Sequence, residues 1–235
     1  MILSTHGIIG SSGAIAPIAS TGLYAVYKAE SNANDSLGTY NGTAQGGLTY
    51  IAGKSGNAFT FNGTNAFVSL PNGSLSSLGT SFSYSFWINP TLISGIGAMI
   101  NTYTSTGGNK GFYTRYNSGG IIQTYAFNSA GTAIINGAEG GTISPGSWQM
   151  ITITFDGSNV RTYKNATIQD TTAYSGVIGF DTTTYPSIGC LHYESLTYAY
   201  FVNGKIDEVN FWNKKLTATD ITELYNSGTG KFYPY

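Results

Sequence analysis

The chain has 235 residues, with 10 Lys and Arg against 11 Asp and Glu and a net charge of −1, so it offers no basic footprint for a nucleic-acid backbone. Charged residues make up 9% of it, far below the roughly 25% of an average soluble domain, and hydroxyls, amides, bare backbone and 18 Tyr must meet the water instead. One cysteine, Cys190, excludes an intrachain disulfide framework, and no run approaches the ~20 apolar residues of a membrane span.

Residues 1–21, beginning MILSTHGIIGSSGAIAPIAS, are small, apolar and free of charge. No Lys or Arg precedes their apolar stretch, so they do not read as a secretory leader. They read as an extended arm, docked either on a partner subunit or along the edge of the chain's own sheet. Residues 22–235 form one domain in which period-two alternation and turn signals hardly stop.

Taken in order, AFTFNGTNAFVSLPNG predicts two short strands joined at Asn62-Gly63, with a second turn at Asn72-Gly73. FSYSFWINP alternates Phe82, Tyr84, Phe86 and Ile88 against Ser83, Ser85 and Trp87, a central strand stopped by Pro90. GFYTRYN and GIIQTYAFN predict neighbouring strands separated by Gly119-Gly120, and GSWQMITITFDGSNVRTYK a hairpin turned at Asp156-Gly157. FVNGKIDEVNFW predicts a strand entered through an Asn203-Gly204 turn. Asn-Gly or Asp-Gly recurs at Asn41, Asn62, Asn72, Asn136, Asp156 and Asn203, which meets the positive-φ demand of tight hairpins.

LTATDITELYNSG is the helix signal. Thr217 caps it, Asp220 completes a capping box, Ile221, Leu224 and Tyr225 make an apolar stripe, and Gly228 stops it. Such a helix is expected to pack against the rim of the sandwich. No repeat of fixed period appears, which disfavours a propeller or solenoid. The expected fold is therefore all-β, an antiparallel jellyroll β-sandwich with one short C-terminal helix and an extended N-terminal arm, with Trp87, Trp148 and Phe155 in its core.

Six blocks, LYAVYKAESNANDSLGTYNGT, KSGNAFTFNGTNAFVSLPN, FSYSFWINP, GSWQMITITFDG, SIG and NGKIDEVNFWNKKLTATDITEL, follow one another in the order of a LamG-like jellyroll. From about Leu23 to Gly228 the chain resembles that family, part of the concanavalin A-like lectin/glucanase superfamily. The resemblance implies two antiparallel sheets, often a structural calcium ion, and non-enzymatic binding roles. It also implies that the turn around Asp35 meets Asp207 of the late strand.

SNANDSLG offers Asn32, Asn34, Asp35 and Ser36 as oxygen ligands, and calcium wants six to eight oxygens at flexible geometry. With Asp207 they make a candidate calcium site; the alternative is an Asx-rich turn bonding its own backbone. Catalysis finds less support. Retaining glycoside hydrolysis needs two carboxyls ~5–5.5 Å apart, yet Asp207 and Glu208 are adjacent and point to opposite faces of a strand. Glu30, Glu139, Glu194 and Glu223 have no carboxylate two residues away, so the alternating glucanase carboxylates are missing. Cys190 and His192 share a strand face, but a buried small hydrophobe beside a histidine explains them without a nucleophile. The four N-x-[ST] sequons, at Asn41, Asn62, Asn72 and Asn165, are read as turn chemistry.

Glycan-binding candidates are aromatics with polar neighbours, since Tyr joins an apolar body to a wet tip. TYTSTGGNKGFYTRYN supplies Tyr103, Asn109, Tyr113, Arg115, Tyr116 and Asn117, and LHYESLTYAY supplies His192, Tyr193, Glu194 and Tyr198. The alternative for each is a place in the core. A neutral, tyrosine-rich surface suits uncharged sugars.

The function expected from these features is that of a non-catalytic bacteriophage virion protein, a decoration or fibre component of head or tail. Its partners would be other virion subunits, reached through the arm, and cell-surface or mucosal glycans; nucleic acid and membrane are not expected. A homo-oligomer would multiply weak sugar contacts. A secreted bacterial carbohydrate-binding protein or glycoside hydrolase, found outside the cell, is the alternative.

Overall fold

A computed structural model describes residues 21–105, 107–183, 185–194 and 197–235. All of the expected arm except Thr21 lies outside the described residues. The alternating sequence opens with β1 (Leu23–Tyr27), β2 (Thr43–Gln45) and β3 (Thr49–Ala52), then β4 (Asn57–Asn62) and β5 (Phe67–Ser69). Longer strands follow as β6 (Ser81–Pro90), β7 (Gly97–Asn101), β8 (Gly111–Tyr116), β9 (Ile121–Phe127) and β10 (Ala133–Thr142). Next come β11 (Gln149–Asp156), β12 (Asn159–Lys164), β13 (Thr167–Ala173), β14 (Ser187–Ile188), β15 (Leu191–Glu194) and β16 (Thr197–Ala199). β17 (Asn203–Trp212) and α1 (Ala218–Tyr225) complete the series.

Eight strands make one sheet, in the order β13-β12-β11-β6-β17-β4-β3, with β1 also paired to β17. Seven make the other, in the order β10-β9-β8-β7-β14-β5-β2, and β15 with β16 forms a separate ribbon. Every pairing is antiparallel, so the fold is the expected all-β jellyroll sandwich with one short C-terminal helix. β17 pairs β4 through residues 203–206 and β1 through residues 209–212, while β6 runs along its other side. The change of partner falls at a bulge where Glu208 takes φ +50°.

The core lies between the sheets. Phe82 stacks on Phe155 at 4.3 Å and meets Phe112 of the facing sheet at 5.1 Å; each such buried ring contributes about 1.5–3 kcal/mol by leaving water. One polar tie crosses this apolar layer. Tyr84 lies 2.6 Å from Thr114 Oγ1, which lies 3.0 Å from Thr124 Oγ1, so the buried hydroxyls of β6, β8 and β9 satisfy one another.

Several expectations are corrected. Trp87 is buried, but with Met150, Tyr163 and Trp212 on the outward side of the eight-stranded sheet, and half-buried Trp148 packs there too. α1 covers that face through Ile221 and Leu224, with Leu216 just before it, rather than sitting on the rim. Its capping box forms as expected, with Thr217 Oγ1 accepting from the Asp220 N–H at 3.1 Å and Asp220 accepting from the Thr217 N–H at 2.8 Å. The helix stops before Gly228, because Asn226 takes the left-handed conformation (φ +46°, ψ +56°) and closes it.

The Asn62-Gly63 step is no hairpin: β4 belongs to the eight-stranded sheet and β5 to the seven-stranded one, so the chain crosses the sandwich there. Gly204 is not in an entry turn but inside β17, opposite Phe61 and Pro90. The Asp156-Gly157 hairpin and the β8–β9 pair form as read.

Candidate functional site

Alternation along β8 and β9 sorts their side chains. Phe112, Tyr116, Ile122 and Ala126 join the inter-sheet core, whereas Tyr113, Tyr125 and Phe127 belong to a separate cluster on the outer face with Ala98, Leu191 and Tyr103. The register sets Tyr113 opposite Tyr125 and Arg115 opposite Gln123. The two tyrosine rings stack at 4.7 Å and 13°. Tyr103 meets Tyr113 edge-on at 5.4 Å and Phe127 at 5.0 Å, and its hydroxyl donates to Asn109 Oδ1 at 2.7 Å. Burial pushes the Tyr113 hydroxyl well above the usual tyrosine range, against the pull of Arg115.

Arg115 anchors the next position. Its Nε donates to Gln123 Oε1 at 3.2 Å and its Nη2 to the Tyr125 hydroxyl at 2.8 Å. The guanidinium carbon lies 4.7 Å from the centre of the Tyr125 ring and 5.7 Å from that of Tyr200, within cation–π range of both. Tyr200 is 38% exposed. It also lines a notch of about 260 Å³ with Leu92, Ile96, Tyr116, Phe201 and Asn203. An aromatic platform, a fixed guanidinium and a small notch thus adjoin on one face.

Of the expected glycan residues, Tyr103, Tyr113 and Arg115 come together here. Tyr116 does not join their face: it is 2% exposed on the core side, packed so closely on Gly97 that a Cβ there would lie 2.2 Å from its ring. It reaches only the inner wall of the notch. Asn117 builds the β8–β9 turn, its Oδ1 accepting from the Gly119 and Ile121 N–H groups at 2.9 and 3.0 Å. His192 is 9% exposed and stacked on Tyr198 at 4.5 Å, with Nδ1 3.2 Å from the Tyr185 carbonyl oxygen. Tyr193 falls in β15, its side chain outside what is described. Tyr125, Gln123, Phe127 and Tyr200 were missed by sequence reasoning. The first three were in reach, since pairing GFYTRYN with GIIQTYAFN about Gly119-Gly120 sets Gln123 and Tyr125 beside Arg115 and Tyr113.

The candidate calcium residues bond chiefly to backbone N–H groups. Asp35 is 3% exposed. Its Oδ1 accepts from the Val26 and Leu37 N–H groups at 2.9 and 3.0 Å, and its Oδ2 from those of Thr39 and Tyr40 at 3.2 and 3.1 Å. Asn32 Oδ1 accepts from the Asn34 N–H at 2.9 Å, and Asn34 itself is exposed. Asp207 Oδ2 accepts from Lys54 and Ser55 at 2.8 and 3.0 Å, and its Oδ1 from Glu208 at 2.8 Å. Hydrogen-bond donors converge on these oxygens, building an Asx turn at Asp35 and a clip from β17 to Lys54 and Ser55. Among the described residues no three His, Cys, Asp or Glu side chains are grouped to hold a metal ion.

The β17 bulge breaks the alternation that would set Asp207 and Glu208 on opposite faces. Both are buried, at 0% and 1% exposure. Burial pushes Asp207 up to about 7 against the pull of its three N–H bonds, and burial with the neighbouring Asp207 pushes Glu208 up to about 8. Neither Glu208 carboxyl oxygen has a hydrogen-bond partner among the described residues. Cys190 is fully buried, and burial pushes its thiol up to about 12, which suits a structural cysteine and not a nucleophile.

An antiparallel jellyroll with one aromatic, guanidinium-bearing outer face has the architecture of a lectin-type sandwich. Residues 62–222 match a laminin G family described as the Concanavalin A-like lectin/glucanases superfamily, and the chain belongs to that family. No curated protein matches it. Among solved structures it is similar to domain 4 of AbnA, a GH43 extracellular arabinanase from Geobacillus stearothermophilus in complex with arabinotriose. That match has 18% identity and a TM-score of 0.68, covering 89% of this chain and 98% of that one. It is also similar to the binding domain of Paraclostridial Mosquitocidal Protein 1 (18% identity, TM-score 0.68, 88% of this chain). The binding domain of Botulinum neurotoxin DC, solved with rat synaptotagmin II, matches at 16% identity with a TM-score of 0.68 over 88% of this chain. The chain spans about half the length of these two toxin domains, 52% and 51% respectively.

Proposed function

We propose that this chain is a non-catalytic carbohydrate-binding module whose recognition surface is the outer face of β8 and β9. The observation that carries this reading is the half-buried aromatic set of Tyr103, Tyr125 and Phe127, built over buried Tyr113, with Arg115 fixed beside it. Tyrosine rings pack on the C–H faces of pyranose sugars while the guanidinium and amide bond their hydroxyls. The superfamily membership and the arabinotriose-bearing arabinanase domain support it. A glycan array of plant, bacterial and mucosal sugars tests it. At least one class should bind the intact chain, and Tyr125→Ala should abolish that binding without unfolding the sandwich. An array blank for the folded chain would refute the reading.

The setting we propose is a bacteriophage virion, where residues 1–21 join the module to other subunits and repeated copies supply avidity. Scarce charge, a single cysteine and an apolar, uncharged N-terminal stretch support it. Removing residues 1–21 should leave a soluble sugar-binding domain that no longer enters particles; retained incorporation would count against the arm. The second reading is a secreted carbohydrate-binding protein, favoured by the near-complete coverage of a domain from an extracellular arabinanase.

A further inference from the structure

The chemistry around Arg115 bears on which sugars this face takes, and the inference rests on the carbohydrate-binding reading above. The sequence contains two arginines, Arg115 and Arg161. Arg161 is paired with Asp156, as a guanidinium usually is when it leaves bulk water. Arg115 is half-buried, yet among the described residues no carboxylate pairs with it. The nearest described acid in its hydrogen-bond chain is held one residue away. Gln123 accepts from Arg115 through Oε1 and donates to exposed Glu139 through Nε2 at 3.4 Å, so the amide stands between acid and guanidinium.

A guanidinium carries five N–H donors in a planar fork. Two are used, on Gln123 and Tyr125, leaving three among the described contacts. The plane is already fixed by these bonds and by the rings of Tyr125 and Tyr200, so little rotamer freedom remains to be lost when an anion docks. In a chain with 9% charged residues, a preorganised and unneutralised guanidinium stands out on this aromatic face. Carboxylates match the fork bidentately, whereas sugar hydroxyls use single donors.

We propose that the outer face binds an acidic glycan, with a sugar carboxylate received by Arg115, the adjoining sugar ring packed on exposed Tyr200, and the next residue entering the notch lined by Leu92 and Phe201. The composition-based expectation of uncharged sugars gives way to this because one fixed charge, placed at the platform, sets selectivity more than the average of the surface does. Uronic acids and terminal nonulosonic acids share the required carboxylate.

Titration calorimetry on the full chain separates these sources. One arm compares trigalacturonic acid with its methyl ester, the other 3′-sialyllactose with lactose. In at least one arm the acid should bind at least about tenfold tighter than its uncharged counterpart, about 1.4 kcal/mol. Arg115→Gln should erase that preference, and Arg115→Lys should restore part of it. The ester comparison needs no variant, so a misfolded Arg115→Gln protein does not shield the idea. Uncharged sugars binding as well as their acids, or an acid preference that survives Arg115→Gln, overturns the proposal while leaving carbohydrate binding intact. Failure of all four probes together with a blank glycan array removes the carbohydrate reading itself, and this inference with it.

Discussion

At the scale of single residues, two buried acids have opposite fates. Asp35 is fully engaged, with four backbone N–H groups on its two oxygens. Asp35→Ala should therefore cost about 3 kcal/mol, since each orphaned buried donor carries a penalty of order 1–3 kcal/mol; the fall in urea midpoint measures it. Glu208 has no such partners, and its proton is retained to about pH 8 in the fold. The unfolded chain releases that proton in the ordinary carboxylate range, so the folded state binds more protons between there and pH 8. The contribution of Glu208 is thus fully present below the ordinary carboxylate range and is lost as pH rises toward 8. The urea midpoint should fall between pH 5 and pH 8, and Glu208→Gln should flatten that slope and stabilise the protein at pH 8 by about 1–3 kcal/mol. A midpoint independent of pH would contradict the assignment. The sequence showed both acids, but not their surroundings: Asp35 announced an Asx turn, whereas the bulge that buries Glu208 depends on where β4 ends and β1 begins alongside β17.

At the scale of elements, local signals were read reliably and their partners were not. The Thr217 capping box is a four-residue pattern and forms as written; Thr217→Ala should lower stability by about 1 kcal/mol, measured by thermal melting. Of the six glycines in Asn-Gly and Asp-Gly pairs, Gly63, Gly73, Gly137, Gly157 and Gly204 take positive φ, and Gly42 does not. Yet Asp156-Gly157 joins neighbouring strands, Asn62-Gly63 switches sheets, and Gly137 and Gly204 sit within β10 and β17. A dihedral is a property of a residue and its neighbours, while the choice of sheet is settled by the faces that long-range partners bury. The outer face of β8 and β9 illustrates the same division. Tyr113 and Arg115 were visible as candidates one strand at a time, and Tyr125 with Gln123 needed the pairing of two. Tyr200 lies 75 or more residues away from that pair, so only the fold delivers it.

At the scale of the molecule, the eight-stranded sheet is covered twice, by the facing sheet and by the C-terminal segment. That segment seals Trp87, Met150, Tyr163 and Trp212. Deleting residues 214–235 should expose this apolar patch and produce a chain that binds a hydrophobic dye and self-associates; a monomeric, dye-silent truncation would show that the segment is dispensable. Cys190 sits between β14 and the β15–β16 ribbon, with no exposed surface. Because it is the sole thiol, a disulfide-exchange reagent added to the native protein has one place to react and must wait for that region to open. The rate of labelling is then a clock for native-state opening, readable by mass without any engineered probe. A saturating acidic sugar held across β8, β9 and Tyr200 should slow that clock, coupling occupancy of the outer face to the breathing of the sandwich.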